Sequence, residues 1–371
     1  LSTEVGGINL SSLTSVTDAD GVTSVQLNAG GVNVSVRVIA TVTVDGNTTT
    51  TTSDPIAILG GIPDQNSFSL SVETFNPAGW DYDGTTSVIS IRAADRYNNL
   101  ARDGTQISFL TNGGSVVGSC ALAGGVCSVN WTSQSPKPVG GLVYILARTT
   151  GEESFTDENS NGEYDVGETV LTHLDEAFLD VTQDPAGANG VVNGLRDAGE
   201  FFSDFNNNET YNTKSGVLFQ GTNCSEGAES AGHCATLVDV RDTIRLCMSS
   251  ESITANRVDI TGVDEASTVV DVSGGPQTIY FNFQDINGLS PAEGISISAK
   301  VADGSIIFGS SIAVPIACNV GGFTSGISVE ADDDLASSQG TLTLEVTQVD
   351  GTVVREQITL CHLGATAGVC D

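Results

Sequence analysis

The chain has 371 residues, enough for two or three domains, and glycine alone contributes 43 of them. Acidic residues outnumber basic residues by 46 to 13. The resulting formal charge of −33 argues against nucleic acid and an anionic membrane surface as partners, because both require a basic face. Abundant Val, Thr, Ser and Gly predict an all-β protein with many turns.

No apolar run in the sequence is long enough to span a bilayer, and no signal peptide is recognisable. The sequence begins at Leu1 without a methionine and in the middle of a strand-like pattern. We therefore expect a mature or trimmed piece of a longer exported precursor.

The first predicted unit, residues 1–62, has strand periodicity but too few strands for a complete β-sandwich. From Val32 to Val44 apolar residues alternate with mostly polar ones, which predicts one strand, and the Thr48–Thr52 run predicts a turn or a solvated strand edge. Compared with the second unit, about forty opening residues are missing. We expect either that upstream sequence supplies these strands or that another copy does, giving a head-to-tail fibre by strand complementation.

The second predicted unit, residues 63–246, has the alternation of a sheet domain, and an acidic segment, residues 152–222, interrupts it. Strand patterns on both sides of this segment predict an insertion between the last two strands of the sheet. The predicted strands lie at 68–72, 87–95, 106–110, 125–131, 141–151 and 234–246.

The segment from Asp157 to Glu168 has the spacing of a twelve-residue calcium loop. Oxygen-bearing side chains occupy the first, third, fifth, ninth and twelfth positions, Gly162 stands at the sixth where the backbone turns, and the seventh residue offers its carbonyl. An acidic, solvated loop without metal is the alternative. The predicted Ca²⁺ ligands are Asp157, Asn159, Asn161, Glu163, Asp165 and Glu168.

Two further segments repeat parts of this pattern. Residues 193–200 reproduce the second half of the loop, with an irregular first half in which Asn189 is the alternative first ligand. A weaker third copy has Glu209 at the glycine position and no acid at the twelfth. The additional predicted ligands are Asp180, Asp184, Asn193, Asp197 and Glu200 for the second copy, and Asp204, Asn206 and Asn208 for the third.

Residues 152–212 contain fifteen acidic residues and one basic residue, Arg196. Without a divalent cation these carboxylates repel one another, so we expect the order of this region to depend on metal. The segments between the copies are too short for flanking helices, which indicates structural calcium loops and not a calcium-sensing switch.

The third predicted unit, residues 247–371, is again a β-sandwich, and no amphipathic helix is evident anywhere in the sequence. Its alternating segments predict five strands. They lie at 278–283, 295–301, 326–331, 341–346 and 353–360.

Eight cysteines, without a CxxC pair, indicate disulfides and an oxidising location outside the cytoplasm. Cys120 and Cys127 flank a hairpin-like turn, and Cys224 and Cys234 flank a short loop, so both pairs predict local disulfides. The pairing of Cys247, Cys318, Cys361 and Cys370 stays open.

The units also resemble one another and a known family. GVTSVQL at 21–27 matches GVCSVNW at 125–131, a repeat of about a hundred residues, the size of an immunoglobulin-like sandwich. Asp95-x-x-x-Asn99 before a strand, TDADGVTSVQL at 17–27 and VRVIATV at 36–42 resemble the bacterial immunoglobulin-like group 1 repeats of the invasin and intimin family. The inserted acidic segments are similar to calcium loops of large bacterial surface proteins. The resemblance implies a stalk, spacer or adhesin on a bacterial cell surface.

No enzyme is predicted, since the three histidines stand in no recognisable catalytic motif and no nucleophile has an elbow context. We expect tandem immunoglobulin-like β-sandwiches that form an extracellular, calcium-rigidified stalk or fibre segment, a homo-oligomer or head-to-tail fibre. The alternative is a calcium-dependent adhesin that binds a glycan or protein ligand on a host or neighbouring cell.

Overall fold

The computed structural model describes residues 8–28, 34–58, 61–181, 193–258, 267–330, 339–362, 365–366 and 369–370. These residues are almost entirely β-structure. One short α-helix, α1 (Glu226–Ser230), and two 3-10 turns, Gln65–Ser67 and Val139–Gly141, are the helical elements of the described ranges. None of them has the length and apolar character needed to cross a bilayer.

The first unit contains three antiparallel pairs of short strands, β1 with β2, β3 with β6 and β4 with β5. Every residue of β4 and β5 is exposed, so this hairpin buries no core. Its strands are β1 (Asn9–Leu10), β2 (Leu27–Asn28), β3 (Val34–Val36), β4 (Ile39–Val44), β5 (Asn47–Thr52) and β6 (Ile56–Ile58).

The single strand predicted from Val32 to Val44 is wrong in one respect. Its described part is divided into β3 and β4, because the two halves pair with different strands, β6 and β5. The Val38 amide donates to the Ser53 hydroxyl at 2.9 Å, and the Val38 carbonyl accepts from the Ser53 amide at 2.9 Å. Val32 lies outside the described residues.

The second unit is a sandwich of two four-stranded antiparallel sheets, ordered β10-β12-β8-β7 and β11-β9-β13-β18. Its strands are β7 (Phe68–Val72), β8 (Thr86–Ala93), β9 (Gln106–Thr111), β10 (Ser115–Val116), β11 (Ser119–Ala121), β12 (Val126–Thr132), β13 (Leu142–Gly151) and β18 (Val238–Cys247).

Alternation along the strands builds the core of this sandwich. Ile89 and Ile91 of β8 point inward and are fully buried, as are Ile145 of β13 and Trp131 of β12. The Trp131 indole donates a hydrogen bond to the Gly113 carbonyl at 2.9 Å, so its one polar group is satisfied in the core.

Strand β13 is buried on both faces, which is unusual for an antiparallel sheet. One face packs into the sandwich core. The other face, with Leu142, Tyr144 and Leu146, is covered by Leu179 of the acidic insertion and by Leu289 of the third unit. This second apolar cluster lies where sandwich, insertion and third unit meet.

Strands β13 and β18 pair along their whole length, from Leu142 opposite Cys247 to Gly151 opposite Val238. The residues between Gly151 and Val238 therefore leave the sheet and return to it at the same end. The described part of the insertion contains α1 and four short strands, β14 (Phe155–Thr156), β15 (Thr169–Val170), β16 (Phe219–Gln220) and β17 (Cys234–Ala235).

All eight cysteines are paired, and both predicted local disulfides, Cys120–Cys127 and Cys224–Cys234, are present. The first is not a hairpin staple, however. Cys120 lies in β11 and Cys127 in β12, which belong to opposite sheets, because the chain crosses the sandwich edge between them. The remaining bonds are Cys247–Cys318 and Cys361–Cys370.

The third unit is a second sandwich, with sheets ordered β19-β21-β25-β23 and β20-β27-β26-β22-β24. Phe281, Phe283, Ile327 and Leu342 lie in its buried core. Its strands are β19 (Ile253–Val258), β20 (Val269–Asp271), β21 (Gln277–Asp285), β22 (Ser296–Ala302), β23 (Ser305–Phe308), β24 (Ser311–Ala313), β25 (Phe323–Glu330), β26 (Gln339–Thr347), β27 (Val353–Cys361), β28 (Ala365–Thr366) and β29 (Val369–Cys370).

The joint between the second and third units is short and buried. Ser249 and Ser250, which connect β18 to β19, are fully inaccessible to solvent. The Ser250 amide donates to the Asp285 carboxylate at 2.9 Å, and the Asn76 side-chain amide donates to the Pro291 carbonyl at 2.7 Å. The Cys247–Cys318 bond adds a covalent link between the two sandwiches.

Candidate metal centre

The first predicted calcium loop is closed at its base by the pairing of β14 with β15. Its backbone has positive φ angles at Ser160 (61°), Gly162 (87°) and Gly167 (107°). Positive φ is costly for residues other than glycine, so two of the three turns fall where the sequence supplies glycine. The loop thereby folds its side chains back over its own backbone.

The first and last predicted ligands are held by backbone amides. Asp157 accepts from the amides of Asn161 at 3.2 Å and Gly162 at 2.8 Å. Glu168 accepts from the amides of Glu158 and Asp165, both at 2.9 Å, with one oxygen each. Both carboxylates are therefore fixed in orientation within the loop.

Asp165 at the ninth position collects the amide side chains of the loop. Its Oδ2 accepts from Asn159 Nδ2 at 2.7 Å and from Asn161 Nδ2 at 2.8 Å. Hydrogen bonds, first from Ser225 and then from Asn159, hold the pKa of Asp165 below its ordinary value. Its carboxylate is therefore ionised at neutral pH. All six predicted ligands share one hydrogen-bond network, which Glu163 joins through its backbone amide, a donor to Asn161 Oδ1 at 2.8 Å.

The second predicted loop repeats this arrangement, with Asp180 in the place of Asp157. Asp180 Oδ2 accepts from the Gly194 amide at 2.7 Å, as Asp157 accepts from Gly162. Glu200 accepts from the amides of Val181 and Asp197, both at 2.8 Å. Asn193 donates to Asp197 at 2.9 Å. Asp184 and the alternative ligand Asn189 lie outside the described residues.

Asp180 is only 7% exposed, and its second oxygen, Oδ1, is buried without a hydrogen-bond partner. A buried carboxylate oxygen without a partner carries a substantial desolvation cost. A cation at this loop is the kind of partner that would offset the cost.

The third predicted loop contains the same contacts in its first half. Asp204 accepts from the amides of Asn208 at 2.9 Å and Glu209 at 2.7 Å. Glu209 adopts a φ of 61° at the position that glycine fills in the other loops. The Asn206 and Asn208 side chains both donate to Asn212 Oδ1, at 2.8 and 2.9 Å, so Asn212 takes the place of Asp165.

Glu176 completes this third loop from a distant part of the sequence. Its Oε1 accepts from the Phe205 amide at 3.0 Å and its Oε2 from the Asn212 amide at 2.9 Å. These are the contacts that Glu168 makes in the first loop. An antiparallel bridge between Phe178 and Phe202 brings the two segments together.

Sequence reasoning missed both Glu176 and Asn212. The spacing of Asp204, Asn206 and Asn208 extends to a ninth position at Asn212, and that signal was available. No local spacing points to Glu176, because it precedes the loop and reaches it only through the fold.

The donor set fits a hard cation but not a soft one. Among the described residues no three His, Cys, Asp or Glu side chains come together as a metal-binding group. A site in these loops therefore has to combine carboxylates with amide and backbone oxygens, which Ca²⁺ accepts because it takes six to eight oxygen ligands in flexible geometry. His173, with Nδ1 at 3.7 Å from Glu153 Oε2, belongs to none of the three networks.

No family model and no curated protein matches the chain. Among solved structures, the chain is similar to invasin, a bacterial integrin-binding protein. The alignment covers 95% of this chain and 52% of the invasin chain, at 14% identity and a TM-score of 0.26. The chain is also similar to the adhesin InvE of Yersinia pseudotuberculosis. That alignment covers 81% of this chain and 60% of the InvE chain, at 11% identity and a TM-score of 0.22.

A C-terminal fragment of intimin, in complex with the intimin-binding domain of the translocated intimin receptor, aligns with 78% of this chain and 62% of its own. Its identity is 12% and its TM-score 0.24. The chain spans between 52% and 62% of the length of these three proteins. The two sandwiches described above define the immunoglobulin-like fold on their own.

Proposed function

We propose that this chain is an extracellular segment of a bacterial surface protein, a row of β-sandwiches stiffened by calcium loops. Four disulfides favour an oxidising compartment, and the sequence resemblance to invasin and intimin repeats favours a bacterial surface. The proposed ligands are those named above, together with Glu176 and Asn212.

Asp180 carries the proposal. Its Oδ1 is buried without a hydrogen-bond partner, whereas its Oδ2 accepts from the Gly194 amide of the second loop, and its two neighbours in sequence, Leu179 and Val181, pack in the apolar cluster between the sandwiches. A cation bound to Asp180 would therefore fix the backbone on which the joint between the second and third units is packed. This placement favours a stiffening role over a sensing role.

Metal analysis and thermal unfolding, with Ca²⁺ and with excess EDTA, test the proposal. We expect bound calcium in the purified protein and a higher melting temperature with Ca²⁺, since a ligand at a hundred times its Kd adds about 2.7 kcal/mol of stability. Glu168→Gln should reduce the calcium content, and Glu356→Gln, an exposed residue of β27, is the matched control. No bound metal and an unchanged melt would contradict the proposal.

Binding of a glycan or protein ligand, as an adhesin, is the second candidate function. Ile307 and Phe308 of the edge strand β23 are 53% and 70% exposed, an apolar pair of the kind found at binding surfaces. Binding to host-cell surfaces that Phe308→Ser abolishes and Val349→Ser leaves intact would support it. Equal binding by both variants would remove this pair as the contact.

A further inference from the structure

A polar cavity of about 300 Å³ lies between the start of the second unit and the first calcium loop. Its walls include Asp64, at the start of the second unit, and Arg96, which lies shortly after the end of β8. Asp157, the first predicted ligand of the loop, forms another part of the wall. The cavity therefore connects the entry of the unit with the loop.

Two side chains of opposite charge line this cavity, and each has one buried atom without a hydrogen-bond partner. Asp64 is 1% exposed; its Oδ1 accepts from the Ser154 hydroxyl at 2.6 Å and the Asn66 amide at 3.0 Å, whereas its Oδ2 has no partner. Arg96 Nη1 is likewise buried and unpartnered. An acceptor and a donor are thus left unsatisfied on the walls of one cavity.

The other arm of Arg96 reaches the loop. Its Nη2 lies 3.4 Å from Asp157 Oδ2, a long contact for an ion pair. The guanidinium stacks on the Phe155 ring, 3.8 Å from the ring centroid, and lies 4.9 Å from that of Tyr97. These rings orient the guanidinium beside the carboxylate of Asp157, on the cavity that Asp64 also lines.

We propose that Arg96 is a positioning residue that couples calcium binding in the first loop to Asp64. This inference rests on the proposed calcium binding. Without calcium, Arg96 is the cation that neutralises Asp157. When Asp157 binds calcium, the ion repels the guanidinium, and the unpartnered Oδ2 of Asp64, a residue of the same cavity wall, becomes the acceptor for the unpartnered Nη1.

The coupling runs in both directions, since linkage between two equilibria is reciprocal. Asp64, by drawing Arg96 away from Asp157, raises the calcium affinity of the loop. Calcium, in turn, strengthens the contact between Arg96 and Asp64. The Asp64 amide is hydrogen-bonded to the Ala94 carbonyl at 2.9 Å, so the effect reaches the segment by which the chain enters the second unit.

A double-mutant cycle with Asp64→Asn and Arg96→Met in the full chain tests the inference. The Gly162 amide, which donates to Asp157 Oδ2 at 2.8 Å, gives a readout specific to the first loop by NMR of ¹⁵N-glycine-labelled protein. Glu168→Gln identifies its signal. We expect Asp64→Asn to weaken calcium binding at this loop about fivefold or more, and much less in the Arg96→Met background.

An equal loss in both backgrounds would show simple attraction between Asp64 and the ion and would overturn the coupling. No loss in either would show a cavity bridged by water only, with the same consequence. Arg96→Gln removes the charge but keeps a long polar side chain, so it should lose the coupling as well and serves if Arg96→Met does not fold. A wild-type loop that binds no calcium would overturn the proposed function itself.

Discussion

Glu176 shows how a single residue can complete a site that its own segment does not suggest. In the first two loops the closing glutamate follows the loop within the same segment, whereas in the third it precedes the loop by 28 residues, at 176 against 204. All three glutamates accept from the same two backbone positions. The hydrogen bonds, and not the order in sequence, define the repeated unit.

If the third loop binds calcium as proposed, replacement of Glu176 by Gln should remove that site. The side-chain nitrogen of Gln would face a backbone amide, so that two donors meet. The buried donor left without an acceptor costs about 1–3 kcal/mol of stability even without metal. We expect one calcium ion fewer per chain and a lower melting temperature in EDTA. Glu356→Gln is the matched control, and an unchanged calcium content would contradict the assignment of Glu176.

The buried acids at the entry of the second unit predict an unusual pH dependence. Burial raises the pKa of Asp64 above its ordinary value of 3.8, and burial raises that of Glu152 above 4.5, to which the charge of Asp64 adds. A carboxyl whose pKa is higher in the folded chain than in the unfolded chain binds its proton more tightly when folded. Its ionisation at neutral pH therefore costs stability.

In EDTA, the free energy of unfolding should consequently increase as the pH is lowered from neutral towards about 5. Urea unfolding at both pH values measures this change. Asp64→Asn should flatten the dependence, because one of the two titrating groups is gone. The prediction would be contradicted if the urea midpoint of the metal-free wild type decreased as the pH is lowered.

At the scale of strands and loops, periodicity predicted the long strands of the two sandwiches but missed β19 and the short strands β10, β11, β20, β23 and β24. The strands predicted at 87–95 and 125–131 correspond to β8 and β12, in which Ile89, Ile91 and Trp131 are fully buried. The prediction of one strand between Val32 and Val44 was wrong, because a period of two cannot show where a strand changes its partner. The third loop was predicted only in its first half, since Glu176 comes from a separate segment.

The disulfide bonds, too, were predicted only in part from the sequence. The two local pairs followed from short spacings, but Cys247 and Cys318 are 71 residues apart and meet only because two sandwiches pack together. Cys361 and Cys370, although 9 residues apart, had no turn signal as clear as that of the first two pairs. Proximity in sequence is thus informative only where a turn enforces it.

Removal of the Cys247–Cys318 bond should destabilise the protein more than removal of Cys361–Cys370. The loop-closure model gives about 4 kcal/mol for the long loop and about 2.5 kcal/mol for the short one. Guanidinium unfolding of the two double Cys→Ser variants, each in EDTA, measures the difference. Equal losses would contradict the expectation that the longer loop makes the larger contribution.

At the scale of the whole molecule, the chain is unevenly packed. The second and third units share a buried joint, with Ser249 and Ser250 inaccessible to solvent. In the first unit, by contrast, Ile39, Val42 and Val44 are 54%, 57% and 61% exposed on an isolated hairpin. Exposed apolar strands with open edges are prone to pair with further strands.

Strand complementation between copies therefore predicts self-association that depends on concentration. Sedimentation velocity should show larger species as the protein is concentrated. Ile39→Lys combined with Val42→Lys should suppress them, because charged edge residues oppose pairing. Val16→Lys, at a 90% exposed position of the same unit, is the control. A wild-type monomer at every concentration would contradict strand complementation between copies.

The bond between Cys247 and Cys318 also determines how the chain extends under tension. A pulling force between the two ends crosses from β18 to Cys318 through sulfur, and so bypasses β19 to β24. At about 3.4 Å per residue, the 71-residue separation hides roughly 240 Å of contour length. The oxidised third unit therefore releases only the chain that follows Cys318, and reduction adds the hidden length to each unfolding event.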